Sequence, residues 1–359
     1  MMNWAEIEKC TRLNQPISGQ DLRGLDARQR SLAGTVLEST LLTGVHFEGC
    51  DLTRSAFINC DLSGVNLRGA KINNTTFSDC KLVGTQWPAQ ALTNLALINC
   101  DLSDAQCEGA TLQKSVCMKN NLSGASFANS RLERSVMWDN DLSHANLTGL
   151  SLTQSAISDT DFSSVNITGL KAYTSLLIGA KFVGKDMSGI SLVRCQLKDA
   201  DFTNAKLDRM DLTESSCHQA NFSHASMRGT QAPRALFMAA QFNHTDASGA
   251  AFGGAIFQAA AVNDSRFDGA QLTQSVWAKS QLKNVSFAKC EMRYSVFDHA
   301  RGAEVIFDRA DLDDSRFHNV RICDISFQGA RRQRVQGTDP ALLKAEAAVL
   351  LLEEKPCTT

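Results

Sequence analysis

Tyrosine and proline are scarce in this 359-residue chain, at 2 and 5 copies, and aromatic residues make up only 7% of it. A globular enzyme of this length usually carries more large rings, so the interior has to be assembled from many medium-sized side chains. Net charge is also small: 36 basic against 38 acidic residues leave −2, which offers no basic surplus for counterion release from nucleic acid. No apolar run of signal-peptide length follows Met1, and the longest one, Ala347 to Leu352, falls far short of a bilayer span. These absences predict a soluble, cytoplasmic protein with no membrane or nucleic acid among its partners.

Chemistry-bearing motifs are missing as well. There is no C-x-x-C pair and no glycine-rich phosphate loop between a strand and a helix. His46, His144, His218, His299 and His318 share no spacing with an acid and a nucleophile. His224 and His244 are twenty residues apart and should stack on the surface near Asp264, without a fixed third ligand. The sequence thus predicts no catalytic residue, no cofactor and no metal, and therefore not an enzyme.

What is present is a period of five. From Leu22 to Phe327, the 62 positions numbered with a final 2 or 7 are almost all large and apolar, without one insertion or deletion. Two residues before each stands a small or medium residue, as in Cys60-Asp61-Leu62-Ser63-Gly64 and Ala200-Asp201-Phe202-Thr203-Asn204. A period of five suits neither a helix nor a plain strand, but it suits a chain that turns a corner every five residues. Four corners close a coil of twenty, with the large residue inward. Nine of the twelve cysteines fall on inward positions and are read as small hydrophobes, which favours a reducing compartment; Cys60, Cys80 and Cys100 should form a ladder.

These blocks resemble the pentapeptide-repeat family, whose unit is a small residue, Asn or Asp, Leu or Phe, Ser or Thr, and a variable residue. The resemblance covers about residues 20 to 330 and implies an all-β solenoid, a right-handed quadrilateral β-helix with capping helices. It divides the chain into a capping helix and lead-in at 1–19, the β-helix at 20–330, and a helix and tail at 331–359. The expected core ladder includes Leu62, Leu102, Phe162, Phe202, Phe242, Phe257, Trp277, Phe297 and Phe317, bulkier toward the C-terminal half. Asn3 is the expected cap of a first helix over residues 3 to 12. Asp339-Pro340 should open a second, whose Leu342, Leu343, Val349 and Leu350 either lie along the final coil or pair with a second subunit.

Where a strict repeat breaks its own rule, relaxed packing or a function accounts for it. Gly302 is undersized for an inward site, and Lys185 occupies a small buried slot. Pro88, after Trp87, and Pro233 should each remove a backbone donor and weaken coil-to-coil bonding. These five residues mark candidate interaction regions. Asp308, Asp311, Asp313 and Asp314 should form ion pairs with Arg331, Arg332 and Arg334. With no chemistry in view, the expected function is that of a non-enzymatic protein-protein interaction scaffold or adaptor, a monomer or a homodimer through the C-terminal helix. Gln15 to Asp26 resembles pentapeptide-repeat proteins of bacterial type VI secretion, which implies an accessory role in effector loading. The alternative is a DNA-mimic modulator of DNA gyrase, with which the balanced charge fits poorly.

Overall fold

The computed structural model describes residues 2–353, with side chains as far as residue 347. The chain is a β-solenoid of about 16 turns with two short helices. It divides into two compact units, Met1–Asp201 and Phe202–Thr359. Every strand pair is parallel and joins residues twenty apart, as in Leu37 with Phe57 or Val262 with Leu282.

The corners explain the motif. The residue ending each block takes a left-handed φ at nearly every corner, which is why Gly, Asn and Asp are common there. The Asp or Asn before the inward residue accepts the N–H two positions on, as Asp61 Oδ1 does from Ser63 (3.0 Å), so it pins the turn locally. Two donors of the block go to the next coil, Leu62 N–H to Lys81 O at 2.8 Å and Gly64 N–H to Val83 O at 2.8 Å, while Asp61 N–H donates to Thr40 O of the previous one at 3.1 Å.

Two kinds of corner occur, and the small inward residue separates them. At the first kind its N–H turns back three residues, as Ala105 does to Leu102 O (3.0 Å), and alanine suffices. At the second kind, which ends a short strand, the N–H donates to the side chain twenty residues on. Ser115 thus donates to Ser135 Oγ (3.0 Å), Ser135 to Ser155 Oγ (3.1 Å), and Cys100 to Asn120 Oδ1 (2.9 Å). Cys60 and Cys80 belong to this spine: their N–H groups donate to Cys80 Sγ (3.5 Å) and Cys100 Sγ (3.4 Å). The ladder thiols are buried in the core, as read from the sequence, and also serve as polar partners in a buried hydrogen-bond chain.

In the first unit, eight strands stack on one side: Ile17–Ser18, Val36–Glu38, Ala56–Ile58, Thr76–Ser78, Ala96–Ile98, Val116–Met118, Val136–Trp138 and Ala156–Ser158. Six more, from Ala91–Thr93 to Ser191–Val193, form a second side. Phe57 stacks on Phe77 (4.7 Å) and Phe162 on Phe182 (4.8 Å). Helix α1, Trp4–Arg12, closes the N-terminal end. Asn3 and Glu6 form a reciprocal capping box, Ile7 is buried, and Trp4 Nε1–H donates to Asp26 O (2.9 Å).

The second unit carries a five-stranded side from Gln241–Asn243 to Arg321–Ser326. Its axis is filled by stacked rings: Phe202, Phe222 and Phe242 in one column, and Phe237, Phe257, Trp277, Phe297 and Phe317 in another. Coil pairing continues as far as Arg316 with Gln336. Helix α2, Pro340–Glu353, is capped by Asp339, whose Oδ1 accepts the N–H of Ala341 (2.8 Å).

Candidate functional site

The residues expected in the core ladder lie there: Leu62, Leu102, Phe162, Phe202, Phe242, Phe257, Trp277 and Phe297 are fully buried, and Phe317, near the last coil, is half-buried. The eight fully buried ones cannot meet a partner. Leu342 is 45% exposed on α2 and Leu343 is half-buried, whereas the side chains of Val349 and Leu350 lie outside those described.

The irregular positions behave differently from expectation. Pro233 weakens nothing, because Ala232 N–H and Arg234 N–H reach Ala251 O and Gly253 O at 2.8 and 2.9 Å. At that position of the block the N–H donates to side chains two or twenty residues before, as Ser63 does to Asp61 and Arg228 to Asp208, so the carbonyl ladder loses no donor to proline. The corner after Trp87 does depart from the pattern, and Gln90 accounts for it. A glutamine cannot desolvate in the small inward slot, so it turns outward, Ala89 leaves the left-handed conformation, and Gln90 Nε2 donates to Ala70 O (3.0 Å). Trp87 and Pro88 are themselves buried; Trp87 packs edge-on against Phe77 and donates to Thr85 Oγ1 (3.0 Å), so neither offers interaction surface. Lys185 is half-buried rather than enclosed, and partial burial lowers its pKa while Asp161 opposes that shift. Gly302 sits so close to the previous coil that a Cβ would run into the carbonyl oxygen of Leu282, so its small size reflects tight coil packing.

The outward positions reveal what the inward columns could not. On the eight-stranded side, Ile98, Met118 and Trp138 follow one another in register, beside Ala96, Val116 and Val136. Ile98, Val136 and Trp138 are 36%, 39% and 46% exposed, and Val36 and Ile58 lie further along the same side, beyond Thr76 and Ser78. Six neighbouring side chains without a charge thus point outward from the sheet, three exposed and three half-buried. Its signal in the sequence is a column of apolar residues at outward positions, which a reading of the inward positions passes over.

The six-stranded side is polar. Gln113 Nε2 donates to Glu133 Oε2 (2.9 Å) and Arg134 Nε to Gln154 Oε1 (3.1 Å), so the shallow groove they line is occupied by mutually paired groups. Burial pushes the thiols of Cys50, Cys117 and Cys290 up to about 12 and that of Cys195 to about 11, away from the thiolate form, whereas the hydrogen bond with Cys80 lowers Cys60 and Cys100.

In the second unit the His224 and His244 rings stack at 4.9 Å, with His244 Nε2 3.7 Å from Asp264. Arg331 meets Asp311 and Asp313, and Arg334 meets Asp314, as expected; Asp308 instead accepts the Gln328 N–H, and Arg332 lies over the Phe327 ring. Sequence spacing gave no sign of one further cluster. His299 Nε2 and His318 Nε2 each stand 3.2 Å from a carboxylate oxygen of Glu346, which α2 brings back against the coils. No helix among the described residues is long and apolar enough to cross a membrane.

Known proteins share the repeat. The family model described as pentapeptide repeat region matches residues 50–112, and the one described as pentapeptide repeats (8 copies) matches 21–57, 100–139, 141–171, 175–209, 190–229 and 280–319. No curated protein matches the chain. Similar solved structures include QnrB1, a plasmid-mediated fluoroquinolone resistance protein, at 18% identity and a TM-score of 0.37, covering 56% of this chain and 87% of that one. HetL of the cyanobacterium Nostoc sp. strain PCC 7120, involved in heterocyst differentiation regulation, is similar at 21% identity and a TM-score of 0.34, covering 76% of this chain and 98% of that one.

Proposed function

We propose that this chain, which belongs to the pentapeptide-repeat family, is a non-enzymatic scaffold that binds another protein through the eight-stranded side of its first unit. The apolar stripe carries the reading. Ile98, Val136 and Trp138 are held out to water on a rigid sheet whose own core needs none of them, and exposed apolar patches of this kind mark contact surfaces. Trp138 is the natural anchor, since tryptophan dominates binding energy where it becomes desolvated. The partner it suits presents a flat, uncharged, apolar surface of its own.

An accessory role in type VI effector loading is a narrower form of this proposal and is supported by the resemblance at Gln15 to Asp26. The experiment is affinity capture from the native cell with the intact chain, with a Trp138→Lys, Ile98→Lys double variant, and with a Gln113→Ala control on the polar side. Loss of a captured protein only in the double variant, at unchanged thermal stability, supports the stripe. Equal capture by all three forms would end this reading, and recovery of DNA gyrase by all three would favour the DNA-mimic alternative.

A further inference from the structure

We infer that His299, His318 and Glu346 form a binding site for a divalent transition-metal ion of the zinc type, closed when α2 docks. The three donor atoms lie within 4.8 Å of one another, and each imidazole Nε2 is 3.2 Å from a different oxygen of the one carboxylate. Donors around a four-coordinate zinc stand roughly 3.3 Å apart, given metal–ligand distances of about 2.0–2.1 Å. Two imidazoles and a carboxylate suit zinc, cobalt or ferrous iron and are poor ligands for magnesium or calcium. His318 is 2% exposed, whereas His299 and Glu346 are about a third exposed, so one flank of the site opens to water and leaves a place for a fourth, solvent ligand.

The surroundings also fix what loading requires. In the structure His318 Nδ1 accepts the Asp339 N–H (3.1 Å), and His299 Nδ1 faces the Asn319 amide nitrogen (3.1 Å). Both rings therefore carry their proton on Nε2 and donate it to Glu346. An ion bound at Nε2 moves that proton to Nδ1 without net release. Asn319 must then turn its amide to offer oxygen, and the Asp339 N–H must swing off the ring, which Gly337, with no neighbour that a Cβ would meet, leaves room for. Ion binding is thus coupled to the backbone at the entry to α2. Other clusters among the described residues make no comparable offer: the Cys60, Cys80 and Cys100 thiols each already donate to carbonyl oxygens, and His224, His244 and Asp264 do not converge on one point.

The test is titration of the full, chelator-treated chain with cobalt(II). One equivalent should bind with a visible d–d spectrum and no thiolate charge-transfer band, and the Asp339 amide resonance should shift. Glu346→Gln and His299→Ala should each weaken binding about tenfold or more. Glu346 lies on the exposed flank, so its variant should keep the wild-type circular dichroism without metal. Zinc should raise the melting temperature of the wild type but of neither variant. Absence of stoichiometric binding, affinity unchanged in both variants, or a thiolate band would each overturn the site and leave Glu346 as a hydrogen-bonded clasp.

Discussion

Among single residues, the two corner types give otherwise similar serines opposite roles. Ser135 Oγ accepts the Ser115 N–H and donates to Leu112 O, so removing it strands a buried donor and a buried acceptor. Ser135→Ala should cost about 1–3 kcal/mol in urea unfolding. Ser295 is equally buried, but its hydroxyl has no partner among the described residues, and its N–H already returns to Met292 O. Ser295→Ala should be neutral or slightly stabilising, and an equal loss in both variants would refute the distinction between corners. Gly302→Ala acts through backbone crowding instead. The added Cβ must displace the Leu282 carbonyl from a paired strand, which should cost about 3 kcal/mol in the same measurement.

Among the elements, helix α1 serves to cover the first coil. Its capping box satisfies two end groups, and Ile7 plugs the apolar opening beneath it. Ile7→Ala should cost about 2–4 kcal/mol and Asn3→Ala about 1 kcal/mol, with the first coil losing hydrogen-exchange protection before the rest. A uniform loss of protection along the unit would show that α1 does not act as an end cap. The cap was legible because Asn3 precedes a short helical stretch with Trp4 and Ile7 on one face, whereas its pairing with Glu6 came from the structure. The docking of α2 was not. Glu346 finds His299 and His318 only after the chain has left the repeat and turned back, and no periodicity spans that interval.

For the molecule as a whole, the thiols that burial raises set an alkaline limit, while Cys60 and Cys100, lowered by their hydrogen bond with Cys80, act the other way. Burial pushes Cys50, Cys117 and Cys290 to about 12 and Cys195 to about 11, whereas in an unfolded chain such thiols ionise near about 8.5. The folded state keeps protons that the unfolded state releases. This contribution is intact below about pH 8.5 and is lost as pH climbs toward the folded values, by about 1.4 kcal/mol per thiol per pH unit. Urea midpoints should therefore fall steeply between about pH 8 and about pH 10.5, and less steeply in a Cys50→Ala, Cys290→Ala variant. A flat profile would contradict the enclosure of these thiols.

The coil itself follows from the amino-acid pattern. Once every fifth residue is large and apolar, a twenty-residue register results, because only that closure sends all of those side chains to a shared interior. The corners follow too, through glycine, asparagine and aspartate where the backbone turns left-handed. Packing in three dimensions was needed to settle how Gln90 escapes its slot, that Pro233 interrupts no ladder, and that one outward side is apolar over Ile98, Val136 and Trp138. It also settled where α2 comes to rest. A repeat dictates what is averaged over many coils, whereas each of these features depends on one local contact that occurs only once.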